Sequence, residues 1–293
     1  MTSSGIHPLD HLVLPTQSLD AARARLNALG FVVAPAGIHP FGTENCCVFF
    51  ADGTYLEPLA IGDRQAAARA CAEGNVFVAR DCLYRESRGD EGFSAVVLGT
   101  DNADGDHERY VEAGLSAGDT LSFSRTFTDT AGKSDTASFK LAFVAAYGQT
   151  DAFLFACQRI NAPKVDRAAL QAHPNGVDGI VEVIAISGAP AEQHRLISVA
   201  VNDPSADAQG GAFHLPNVVL TVLDAASFTA RFGIPAGVPS ELRFAAVIFS
   251  IRDIGAAASL LAANAIQHDM SGNDIIVRPA SGQGAAFIFR EIQ

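Results

Sequence analysis

Charge is scarce in this chain: 18% of its 293 residues are charged, against 48% hydrophobic. That balance excludes disorder, because a sequence this apolar can bury a large core. Positive charge is scarcer still, with 20 Lys and Arg against 32 Asp and Glu and a net charge of -12. No local Lys/Arg cluster offsets that field, which repels phosphate backbones, so nucleic acid is not an expected partner. Long apolar runs are missing too. The longest, such as Leu242 to Ile251, fall far short of the roughly 20 residues of a membrane helix, and no membrane partner is expected. The first residues, Met1 to Pro8, lack the basic-then-apolar order of a secretory leader. Five cysteines (Cys46, Cys47, Cys71, Cys82, Cys157) include no Cys-x-x-Cys pair. Reduced thiols in a cytoplasmic protein are the expectation, with Cys46 and Cys47 facing opposite ways if they lie in a strand. Gly-x-Ser-x-Gly is absent, and Gly210-Gly211 and Ser281 to Gly284 read as turns and not phosphate loops.

What the chain does contain is one order of elements, repeated. Leu9 to Pro15 reads as a strand, and Ser18 caps a helix whose apolar positions Ala21, Ala22, Leu26 and Leu29 end at Gly30. Strands are expected at Phe31 to Ala34, Asn45 to Phe50 and Tyr55 to Leu59, with a hairpin at Asp52-Gly53. This β-α-β-β-β order recurs from Gly92, from Ile180 and from Leu242. Modules one and four align without gaps at an offset of 235, which puts Leu12 on Val247 and Leu26 on Leu261. The fold class expected is therefore α+β: four βαβββ modules paired into two curved mixed-sheet halves. Residues 1–160 form the first half and 179–293 the second, with a linker at 161–178. Segment 62–91 stands outside the repeat and carries an Ala-rich helix over Gln65 to Cys71.

Such a unit exposes the concave face of its sheet, and two units side by side make a trough. Its inward side chains in module one are His11 and Glu57, an imidazole and a carboxylate suited to Fe, Mn, Zn or Ni if a third donor joins them. Buried Glu57 needs a partner in any case, and a metal, Arg125 or His39 would serve. His39 is a candidate general base, third ligand or turn-former. Asn45 either contacts ligand or ties the hairpin. Arg125 anchors a carboxylate or pairs with Glu57 if its strand register turns it inward.

The run Leu9-Asp-His-Leu-Val-Leu, His39-Pro-Phe-Gly-Thr-Glu-Asn45 and Tyr55-Leu-Glu57 resembles the glyoxalase-like family of the vicinal oxygen chelate superfamily. That superfamily also takes in bleomycin-resistance proteins and extradiol dioxygenases. His173-Pro-Asn-Gly176 resembles a further segment of the family. The resemblance implies metal ligation by His11 and Glu57, with a divalent ion acting as Lewis acid on a small oxygen-rich substrate. Isomerase, lyase and dioxygenase chemistry all stay open, with Glu57 and His39 as catalytic residues and Asn45 and Arg125 as substrate contacts. The paired modules depart from the pattern. Module two offers Ala95 and Phe155 to Cys157 at the matching positions, and module four has Ala246 where module one has His11. Glu182 and Glu291 are rim carboxylates. Two alternatives follow: a metal-free binding protein that sequesters its ligand, and an extradiol-dioxygenase-like enzyme, against which Ala246 argues. Related modules also pair between chains, so a homodimer is compatible with the sequence.

Overall fold

The computed structural model describes residues 5–128, 134–162, 166–205 and 211–292. Module one comprises β1 (Leu9–Pro15), α1 (Leu19–Ala28), β2 (Gly37–Ile38), β3 (Thr43–Asn45), β4 (Val48–Phe49) and β5 (Tyr55–Ile61). Two helices follow it, α2 (Arg64–Ala72) and α3 (Val76–Arg88). Module two is β6 (Ala95–Thr100), α4 (Ala103–Glu112), β7 (Leu121–Thr128), β8 (Ser134–Val144) and β9 (Phe153–Asn161). After the short α5 (Ala168–Gln171), module three runs β10 (Val177–Ile186), a 3-10 turn (Pro190–Gln193), α6 (His194–Val201), β11 (Ala212–His214) and β12 (Val219–Leu223). Next come α7 (Ala225–Phe232) and module four: β13 (Arg243–Ile251), α8 (Ile254–Ala263), β14 (Asp269–Ser271), β15 (Asp274–Val277) and β16 (Ala286–Glu291).

The modules pair in sequence order. A 9-stranded sheet runs β2-β3-β5-β1-β6-β9-β8-β7 with β4 also on β5, and a 7-stranded sheet runs β11-β12-β10-β13-β16-β15-β14. In the first sheet β1 and β6 meet antiparallel at the centre, and each lies parallel to the last strand of its own module. The second sheet repeats this arrangement with β10 and β13. The convex faces share one apolar core. Leu26 of α1, Tyr110 of α4, Ile197 of α6 and Leu261 of α8 are all fully buried in it, with Phe31, Phe249 and Phe289. Each concave face has its own roof. Over the first sheet it is the α2–α3 pair, which sets Ala67, Phe77 and Val78 against Val13, Val97 and Phe155. Over the second it is α7, whose Phe228 and Phe232 fill the trough between Ile184, Ala246, Ile248 and Ile288.

Several elements differ from the sequence expectation. Residues 31–36 are not a strand. Their backbone groups are taken by side chains and loops: His173 accepts from the Val32 amide, and Arg23 donates to the Val33 and Ala34 carbonyls. The strand expected over Asn45 to Phe50 is split into β3 and β4. Opposite the break stands Pro58, which has no N–H to give the ladder; Cys46 donates to its carbonyl instead. Helices α3 and α7 lie between repeats, where periodicity has no register to follow, and neither is expected from the sequence. Helix α2 is held by Asp63, whose carboxylate accepts from the Gln65 and Ala66 amides at 2.9 and 3.0 Å. Asp63→Ala is expected to cost about 1 kcal/mol in urea unfolding, the usual loss of an N-cap.

Candidate functional site

The parallel registers dictate which side chains meet. His11 pairs with Tyr55 and Val13 with Glu57 across β1 and β5, and inward positions alternate, so His11, Tyr55 and Glu57 share the concave face. The Tyr55 ring stacks on His11 at 4.4 Å and 13°, and Phe155 from β9 meets it edge-on at 5.9 Å. Glu57 Oε2 lies 3.1 Å from His11 Nε2. Asn45 Nδ2 donates to Glu57 Oε1 at 2.6 Å, and His39 Nε2 is 3.6 Å from the same oxygen. Three of the residues singled out in the sequence, His11, His39 and Asn45, therefore converge on a fourth, the Glu57 carboxylate.

Each histidine has a defined second contact. His11 Nδ1 donates to Asp10 Oδ1 at 2.6 Å, and Arg159 holds the other Asp10 oxygen at 2.7 Å. For His39, Nδ1 is 2.8 Å from Thr43 Oγ1, and Asn45 Nδ2 is 3.4 Å from Nε2. The tautomer of His39 protonated on Nδ1 satisfies both contacts, donating to Thr43 Oγ1 and accepting from Asn45 at Nε2. Phe41 stacks on His39 at 5.1 Å, while Phe77 and Phe123 stand edge-on to it at 6.0 and 5.7 Å. His11, His39 and Glu57 are 4%, 6% and 5% exposed, so their charges are set by each other and not by solvent.

The electrostatics drive the two imidazoles apart. Burial disfavours the charged form of His11, but hydrogen bonds and charges from Asp10 and Glu57 outweigh it and raise its pKa. Burial dominates at His39 and, with the charges of Arg125 and His11, takes it down to about 4 against the pull of Glu57. Burial would raise Glu57, yet the His11 hydrogen bond, the two histidine charges and the Asn45 bond bring it down to about 2. The pocket thus pairs an imidazole held towards its charged form with an ionised carboxylate and a neutral second imidazole. Asp10→Asn is expected to lower the His11 titration, which histidine-selective NMR reads directly.

Arg125 faces inward: it lines the pocket with Phe123, while Ser122, Ser124 and Thr126 between them are exposed. It does not pair with Glu57, and among the described residues it makes no ion pair. The cavity between these side chains is narrow, about 30 Å³, room for roughly two waters.

The metal that the resemblance implies needs at least three donors. Matching registers put Ala95 and Phe155 of module two at the positions of His11 and Glu57, both buried and apolar. Among the described residues no group of three His, Cys, Asp or Glu is arranged to hold a metal ion. His39, the third ligand the sequence offered, stands 3.6 Å from Glu57 but is not arranged with it and His11 as a metal-holding group, so the residues present do not fit that centre. The second half has no counterpart site. Its matching positions are Ala246 and Ile288 under Phe228 and Phe232, and Glu182 is bound by Arg231, Arg290 and Thr221. Glu291 accepts from the Ile254 amide at the start of α8. His173 is a tie between segments, accepting from Val32 N and donating to the Phe49 carbonyl.

Sequence reasoning missed Asp10, Tyr55, Thr43 and Arg159, of which the first three lie inside or beside the motif itself. Phe77 carried no signal, because it comes from the helical insertion. Among the described residues no helix is long and apolar enough to cross a membrane.

A family model described as a glyoxalase-like domain matches residues 9–200. No curated protein sequence matches the chain. A hypothetical protein from Staphylococcus aureus superposes with a TM-score of 0.65 at 12% identity, over 97% of this chain and 99% of that one. A triple mutant of 4-hydroxymandelate synthase from Streptomyces coelicolor superposes with a TM-score of 0.55 at 12% identity, over 97% and 93% of the two chains. At such identities these structures attest the fold. The family match, which spans most of the chain and the whole of the His11–Glu57 pocket, goes further: this chain belongs to the glyoxalase-like family, in the vicinal oxygen chelate superfamily.

Proposed function

We propose that the chain is an enzyme that moves a proton on a small, oxygen-rich carbonyl compound held in the pocket of its first half. The observation that carries this reading is the pair of buried histidines in one pocket with opposed environments. His11 is clamped between two carboxylates, whereas His39 turns an unprotonated Nε2 towards Glu57. Groups whose surroundings push their protonation apart are the usual mark of an acid and a base working together. His39 Nε2 takes a proton from the carbon beside the carbonyl. His11 Nε2–H, which Glu57 holds at 3.1 Å in the free pocket, is then shared with the oxygen on which negative charge develops. Glu57 stays ionised and fixes His11 and Asn45, and Thr43 keeps the His39 proton on Nδ1. The α2–α3 roof and the aromatic walls exclude water, which strengthens each of these contacts. No step is routed through a metal, because among the described residues no three donors are arranged to hold one.

Solvent exchange tests this across a whole class of compounds at once. The protein is incubated in D2O with a panel of 2-oxo acids, 2-hydroxy ketones and hemithioacetals, and loss of the proton beside the carbonyl is followed by NMR. Catalysed exchange on any member supports the reading. Saturable binding of a member without exchange of its proton would assign the pocket to sequestration instead.

A further inference from the structure

The first sheet curls until its two edges face each other. Its strand path ends at β2 on one side and β7 on the other, and among the described residues no strand pairing joins them. Two side chains of β7 reach across this seam. Phe123 packs on Phe41 at 5.2 Å, and the Arg125 guanidinium lies over Gly37 of β2. A methyl group at Gly37 would overlap that guanidinium and come within 2.6 Å of Asn45 Oδ1. Gly37 has no positive φ, so its backbone does not require glycine. The notch above it is taken by Arg125, which would have to shift to admit a side chain.

The charges around the notch are unequal. Asp10 is taken up by His11 and Arg159, at 2.6 and 2.7 Å. Glu57 is taken up by His11 at 3.1 Å and Asn45 at 2.6 Å. Arg125 alone lines the pocket as a cation with no carboxylate among the described residues. Most of the remaining wall is aromatic, with Phe41, Tyr55, Phe77, Phe123, Phe139 and Phe155 beside Leu141 and Cys157. Rings in such a box favour a flat ring between them through offset and edge-to-face contacts. A planar guanidinium is suited to a carboxylate, which it binds through two parallel hydrogen bonds.

We propose that the ligand of this pocket is an aryl carboxylate, its ring among the phenylalanines and its carboxylate on Arg125, and that Gly37 is the position that sets this specificity. The inference rests on the small-molecule reading above and names the class of molecule. The cavity is too narrow for a phenyl ring at its present 30 Å³. Binding a ring there requires β7, whose only strand partner among the described residues is β8, to move away from β2.

Isothermal titration of the full chain with phenylacetate, phenylacetamide and acetate tests this. Phenylacetate is expected to bind saturably, and phenylacetamide and acetate at least about ten-fold more weakly, which is about 1.4 kcal/mol. Arg125→Gln and Gly37→Ala are each expected to weaken phenylacetate about ten-fold or more, with the thermal midpoint unchanged in Arg125→Gln and lowered in Gly37→Ala. Arg125→Lys, which keeps the charge and loses the fork, is expected to fall between. Should Gly37→Ala fail to fold, Arg125→Gln decides. Equal affinity for acid and amide, an unmoved affinity in Arg125→Gln, or no saturable aryl carboxylate binding overturns the inference. Proton exchange on non-aromatic carbonyl compounds alone would overturn it and leave the proton-transfer reading standing. Aryl carboxylate binding with no exchange on any compound would do the reverse.

Discussion

Proton exchange on the panel compound that the protein processes is expected to slow by about 10²–10⁴-fold when His39 is replaced by glutamine, the usual worth of a positioned base. Glutamine retains a hydrogen-bonding side chain of similar reach, so the 2.8 Å contact to Thr43 and the packing on Phe41 are the least disturbed features. What disappears is the imidazole lone pair beside Glu57. Thr43→Val is expected to give a smaller loss, because it frees the Nδ1 proton without removing the ring. If the two variants slowed exchange equally, His39 would be a packing residue and not the base. Affinity for the compound, measured by titration, is expected to change little in either.

Stability should depend on Glu57 as strongly as exchange depends on His39. Glu57→Gln removes the partner of an almost wholly buried His11 and is expected to cost about 3–5 kcal/mol in urea unfolding. The pH dependence carries a sign for each group. Glu57 titrates at about 2 in the folded chain against an ordinary 4.5. Its contribution is therefore whole above pH 4.5 and is lost as pH falls towards 2. His39, at about 4 against an ordinary 6.5, resists protonation in the folded state, so the native state loses ground as pH falls from 6.5 to 4. His11 is raised, and acts in the opposite sense: its contribution is full below 6.5 and fades as pH rises through its folded value. Unfolding free energies measured across the acid range are expected to decline from about pH 6.5 downwards in the wild type. In Glu57→Gln the decline below pH 4.5 should be shallower, what is left coming from Asp10, Asp106 and Glu182, which are also held low. Parallel curves for the two proteins would show that Glu57 is not held by its neighbours as described.

Much of this arrangement was legible in the sequence because it is carried by local periodicity. The four-module order came from alternating strands, capped helices and the Asp52-Gly53 turn, and the pairing into two halves came from their succession. His11, His39, Asn45 and Glu57 came from one short motif, and the β1–β5 register brings the first three to the carboxylate of the fourth. What was not legible depends on contacts distant in the chain. Helix α3 lies in an insertion, yet it supplies Phe77 to the pocket. Helix α7 fills the second trough, which is why a four-module chain has its site in one half. The break between β3 and β4 follows from Pro58 on the opposite strand, which a reading of Asn45 to Phe50 alone cannot contain. Arg125 could face either way by sequence. Its seat over Gly37 joins two residues that lie at opposite ends of the sheet path.

In the mechanism proposed, a histidine pair, and not a resident divalent ion, moves the proton in this pocket. The decisive measurement is exchange in D2O by protein stripped with a chelator, checked by elemental analysis, then assayed alone and after addition of Mn, Fe, Zn or Ni. The same exchange rate is expected in all samples, and its loss in His39→Gln. Exchange that vanishes on stripping, returns with one stoichiometric ion per chain, and cannot be restored in His11→Ala would contradict the histidine mechanism.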